Sequence, residues 1–145
     1  MKKKLLIISA SPMRSIDGKS YIFEPTLREV EHLTEIFESI TWIGVSDSSI
    51  HKNNSRTDQT GKINFIILPT FGGQGLLNRL KLFVGIPYFL GIILKNFLSF
   101  TYIHNRAPSL PTVISIFLGF LFRNKRIWSK YAGNWVQENP PFGYK

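Results

Sequence analysis

Four short stretches of this 145-residue chain hold side chains capable of chemistry. The densest is T-Y-I-H-N-R-A-P-S, where His104, Asn105 and Arg106 set a titratable imidazole, an amide and a fixed cation side by side. At the end of a strand these three would line a ligand site. The plain alternative is a satisfied core histidine next to a surface arginine that pairs with an acid. In S-K-Y-A-G-N-W, Lys130 and Asn134 offer polar contacts, Ala132 and Gly133 let backbone approach closely, and Tyr131 and Trp135 present flat faces suited to sugar rings. A strand-to-turn corner with its aromatics in the core accounts for the same residues. Gly18-Lys19-Ser20 matches the end of G-x-x-x-x-G-K-[ST], but Met13 stands where that phosphate loop needs its first glycine. A polar loop turning at Asp17-Gly18 competes with that nucleotide-binding reading. Gly72-Gly73-Gln74-Gly75 can present backbone N–H groups to an anion, yet G-x-G-x-x-G would need glycine at Asn78, so a plain turn explains it as well.

Other chemistries lack their residues. The chain has no cysteine, which removes disulfides, thiolate metal sites and cysteine nucleophiles, and suits a reducing compartment; a cytoplasmic location is the expectation. His32, His51 and His104 are scattered without acidic ligands at metal spacing, so no metal is expected. There is no G-x-S-x-G elbow and no Asp-x-Asp pair.

Charge is divided unevenly. Residues 1–58 balance eight Lys/Arg against eight Asp/Glu, whereas residues 59–145 carry ten Lys/Arg against Glu138 alone, so the whole net charge of +9 lies in the second part. An anionic membrane surface, a phosphate-bearing substrate or nucleic acid would fit this asymmetry, as would a merely solvated basic face.

The elements that must position these residues follow from hydrophobic patterning. Lys4 to Ser9, Ile40 to Val45, Lys62 to Pro69, Phe100 to His104 and Arg126 to Tyr131 read as strands, the first ended by Ser11-Pro12. Pro25 opens a helix whose apolar face is Leu27, Val30, Leu33, Ile36 and Phe37. Longer apolar helices are expected over Leu76 to Leu98, kinked or broken at Pro87, and over Thr112 to Phe122. Ser46 to Gly61 reads as an exposed loop. Strands alternating with helices predict one α/β domain over 1–145, a Rossmann-like doubly wound parallel sheet of about five strands. Ligands of such sheets gather beyond the carboxyl ends of the strands, which would bring the His104 and Lys130 corners to a common rim.

The apolar run Leu5 to Ile8 is shorter than the roughly 7–15 residues of a secretory signal core, and Leu82 to Leu94 is shorter than the roughly 20 needed to span a bilayer. An in-plane contact with anionic lipid is the membrane expectation, with Arg79, Lys81 and Lys95 flanking Phe83, Phe89 and Phe97.

Four stretches in order, K-L-L-I-I-S-A-S-P, E-P-T-L-R-E-V, I-H-N-R-A-P-S and K-Y-A-G-N-W followed by P-P-F-G-Y-K, resemble the amino-terminal half of bacterial GT-B, family-4-like glycosyltransferases. The resemblance implies half of a GT-B fold and a parent enzyme of polysaccharide biosynthesis. That enzyme would move a sugar from a nucleotide-sugar donor to a saccharide or lipid-linked acceptor, with retention and without metal or other cofactor. The acceptor would rest on this half and the donor mainly on a second domain, which this chain would lack; alone it would be inactive. Carried over by position, Gly18, Arg28, Glu29, His104, Asn105, Arg106, Lys130, Tyr131, Gly133, Asn134 and Trp135 would line the cleft. Catalytic residues remain unassigned. Expected partners are the acceptor, an anionic membrane and a separately encoded carboxyl-terminal half, with no nucleic acid. The alternatives are a noncatalytic binding or assembly subunit of a split glycosyltransferase and a P-loop nucleotide-binding protein.

Overall fold

A computed structural model describes residues 3–70 and 76–131, of which residues 76–84 by their backbone alone. The chain is mixed α/β. In order it forms β1 (Lys4–Ile16), β2 (Lys19–Phe23), α1 (Glu24–Glu31), a 3₁₀ turn (His32–Glu35), β3 (Ser39–Ser46), β4 (Ser55–Arg56), β5 (Ile63–Leu68), α2 (Leu76–Ser99), β6 (Tyr102–Ala107), α3 (Leu110–Leu121) and β7 (Arg126–Tyr131).

All seven strands join one sheet. Five of them run parallel in the order β5-β3-β1-β6-β7. The chain therefore builds outward from β1 on one side, then returns to its other side with β6. Alternation along β1 sends Leu5 and Ile7 to one face, where Leu27 and Val30 of α1 pack on them, and Leu6 and Ile8 to the other, beneath Phe89, Ile93 and Phe97 of α2 and Ile114 and Leu118 of α3. Apolar burial on both faces, at roughly 1.5–3 kcal/mol per large aliphatic side chain, is why the central strands read as unbroken hydrophobic runs.

The helix expected to bury a face as far as Ile36 and Phe37 ends at Glu31 and gives way to the 3₁₀ turn, which leaves Ile36 exposed. The structure departs from the sequence expectations in four further places. First, β1 does not stop at Ser11-Pro12. Its pairing with β3 shifts register between Ile8 and Pro12, which accommodates the proline's missing N–H, and the strand continues into an antiparallel hairpin with β2. Asp17 (φ 53°) and Gly18 (φ 75°) form its two-residue turn, the backbone conformation that Asp-Gly favours. Met13 pairs with β3 on one edge and β2 on the other, so the hairpin continues the edge that β6 occupies lower down. Second, the expected loop Ser46 to Gly61 contains β4, which pairs with β2 and is tied to α1 by an Arg56–Glu31 ion pair. Among the described residues the sheet thus has seven strands rather than five, and the two extra ones join through antiparallel pairings. Third, of the kink or break expected at Pro87 the break does not occur: α2 runs through it as one helix, giving up one backbone bond there, while Phe89, Ile93 and Phe97 hold it to the sheet. Fourth, β6 reaches Ala107, so His104, Asn105 and Arg106 lie inside a strand and not beyond its end.

The irregular stretch of β1 passes close over β3 at Gly44. A Cβ there would lie 2.8 Å from the Ser11 carbonyl oxygen and 2.5 Å from Met13 Cε. Gly44→Ala should therefore cost roughly 1–3 kcal/mol through forced backbone movement. Urea unfolding checks this, and an unchanged midpoint would refute the close approach.

Candidate functional site

Parallel register arranges the α1-facing side chains of β1, β6 and β7 in three rungs. Leu5, Tyr102 and Arg126 form the lowest, Ile7, His104 and Trp128 the middle, and Ser9, Arg106 and Lys130 the one nearest the carboxyl rim. Only the top rung is polar at all three positions. The top rung is covered by Glu29, projected from the middle of α1.

Glu29 holds the top rung together. Arg106 meets it through both terminal guanidinium nitrogens, at 3.0 Å to Oε1 and 3.2 Å to Oε2, and Lys130 Nζ donates to Oε1 at 2.5 Å. Burial by itself would raise the Glu29 carboxyl, but the hydrogen bonds and charges of Arg106 and Lys130 override it and hold it down to about 2. At neutral pH one carboxylate thus serves two cations, and the cluster keeps one net positive charge. Arg106 is 8% exposed, so this excess sits partly out of water, where it attracts an anionic or strongly electronegative ligand group more than a surface lysine would.

Ser9 anchors the β1 end of the rung. Its hydroxyl donates to the Ile43 carbonyl at 3.3 Å and accepts from Trp42 Nε1 at 2.9 Å and from the Ser11 N–H at 3.1 Å. The same residue fixes the place where β1 turns irregular.

One rung down, His104 is buried and stacked on Trp128, with ring centroids 5.0 Å apart and planes at 20°; Phe37 also stacks on Trp128, at 6.4 Å. Burial is the main cause that pushes the imidazole down to about 4, with the Arg106 charge adding to it and the Trp128 backbone carbonyl and Glu29 opposing. His104 is neutral at physiological pH. It supports the cationic rung from below without adding charge to it.

The sequence-based candidates therefore separate. Glu29, His104, Arg106 and Lys130 come together. Arg28 points to solvent and pairs with Glu24 at 2.7 Å. Strand alternation sends Asn105 and Tyr131 to the α2–α3 face. Asn105 is fully buried there, with neither amide atom partnered among the described residues. On that face a cavity of about 300 Å³ opens at the rim between Ala10, Val45, Thr70, Phe89, Ser109 and Pro111. Gly18 sits at the hairpin tip, and Lys19 and Ser20 form the start of β2, so this segment makes no helix-capped phosphate cradle. Gly133, Asn134 and Trp135, like the glycine turn at 72–75, lie outside the described residues. Trp128, Ser9 and Phe37 were missed by sequence reasoning. Trp128 alone had a usable signal, since it stands two residues before Lys130 as His104 does before Arg106. Among the described residues no group of three His, Asp or Glu could hold a metal ion.

No protein-family model matches the chain, and no curated protein or solved structure matches it either.

Acidification should lower the protein's stability in two pH windows. His104 has a folded value below its ordinary 6.5, so unfolding takes up a proton as pH falls from 6.5 to about 4; stability on the order of 3 kcal/mol is lost in that window and no more below it. Glu29, also depressed, contributes stability that is present above 4.5 and lost as pH falls toward 2, reduced by its solvent exposure. Urea midpoints measured against pH should show both declines. His104→Gln should flatten the first and Glu29→Gln the second; unaltered profiles would refute the assignments.

Proposed function

We propose that the chain is the acceptor-side, Rossmann-like half of a bacterial GT-B glycosyltransferase, acting with a donor-side domain that binds the nucleotide-sugar. The observation that carries this reading is the shared rung of Arg106 and Lys130 under Glu29, at the carboxyl rim of five parallel strands in the order β5-β3-β1-β6-β7. The chain builds outward through β3 and β5 and then crosses back through α2 to set β6 on the other side of β1, and ligands of open parallel sheets favour the crevice that forms where the direction changes.

In this reading the cationic rung orients a saccharide or phosphate-linked acceptor, with Glu29 exchanging hydrogen bonds between its two cations and an acceptor hydroxyl. Neutral His104 keeps Arg106 in place through the strand beneath it. Developing negative charge on a leaving diphosphate would be met by basic groups, the demand that metal-independent sugar transfer makes of its protein. The same surface equally serves an assembly subunit that binds acceptor without turning it over.

A glycan and glycolipid array probed with the labelled full-length chain tests the proposal. Saccharide acceptors should be retained, and Arg106→Ala and Lys130→Ala should each weaken retention by about tenfold or more, the usual consequence of removing a partly buried charged hydrogen-bond donor. An array with no saccharide retained would sink the reading. Transfer restored by coexpressing a donor-side domain would separate the enzyme from the assembly subunit.

A further inference from the structure

Helix α3 is apolar on both sides. Its inner face packs on the sheet through Ile114 and Leu118, while Val113, Ile116, Phe117, Phe120 and Leu121 recur at i, i+3, i+4, i+7 and i+8 along an outer stripe. These five are exposed, Phe120 by 74% and Phe117 by 61%. A helix that only covered a sheet would carry polar residues there. Neighbouring α2 repeats the pattern with Ile86, Leu90 and Leu98 exposed at multiples of four. Both helices lie on the same sheet face, so the two stripes share the outer surface of one layer.

The expected lipid contact through Phe89 and Phe97 is not available, because both rings face the sheet. Phe83, Arg79 and Lys81 have no described side chains. The apolar surface that α2 keeps from solvent reappears on α3.

Charge selects what covers this layer. Lys95 on α2 and Arg123 just past α3 are exposed at its borders, and the sequence has no acidic residue between Asp58 and Glu138. Two copies packed through these helices would bring like charges together with no carboxylate from either layer to neutralise them. Anionic lipid supplies both missing components, acyl chains for the stripe and headgroup phosphates for its cationic border.

We infer that the outer surface of α2 and α3, centred on Phe117 and Phe120, docks in the plane of an anionic membrane. The inference stands apart from the glycosyltransferase reading. Flotation of the full chain with phosphatidylcholine vesicles, with and without phosphatidylglycerol, tests it. Binding should require phosphatidylglycerol and weaken with added salt. Phe117→Asp with Phe120→Asp should lower partitioning by about a hundredfold, and Arg123→Glu, on an exposed turn, by about tenfold. Circular dichroism should be unchanged in both. No flotation, flotation insensitive to these substitutions, or a dimer by light scattering that Phe120→Asp dissolves would overturn the inference, the last assigning the face to a second copy.

Discussion

The register of β6 between β1 and β7 is the constraint from which the site follows. Because Arg106 aligns with Ser9 on one side and Lys130 on the other, two cations reach the same face at the same height, where a single carboxylate from α1 can engage both. A slip of one residue would turn Arg106 toward α2 and α3 and bring Asn105 under Glu29. Core side chains in the rungs beneath, Leu5 and Ile7 among them, make that slip costly, since it would also expose or misplace the core residues of both faces.

Desolvation then sets the chemistry. The same burial that opposes charge on Glu29 and His104 has opposite results because their neighbours differ. Glu29 has two cations within hydrogen-bond distance and stays ionised, whereas His104 has a cation beside it and an aromatic ring against it and stays neutral. Glu29 and His104 thus keep one arrangement of charge across the physiological range, a fixed electrostatic surface at the rim.

Much of this frame was legible in the residues. The strands around Ile40–Val45 and Ile63–Leu68 were found to within a residue or two, because strands buried on both faces need continuous apolar runs, and both long helices were visible in their length and apolar content. The β1–β2 hairpin was not, since Ser11 and Pro12 are signals that stop a strand and only the shift in pairing with β3 lets it continue. Nor was the division of His104, Asn105 and Arg106 between two faces, which depends on where β6 ends. Glu29 entered through resemblance, and its ion pairs across 77 and 101 residues have no local signature. The outward stripe of α3 stood in the sequence as uniform hydrophobicity; burial alone distinguishes its two sides.

Among the described residues, strand β7 is the outermost parallel strand on its side of the sheet, paired along one edge only. Lys130 and Trp128 reach the rung solely through it. Outer strands open far more readily than central ones, at a fraction of the free energy of complete unfolding. Peeling β7 away would strip Glu29 of one cation and His104 of its aromatic neighbour while the other parallel strands stayed paired. The site can therefore be assembled and dismantled on its own, and whatever presses against that last strand governs how much of the time it exists.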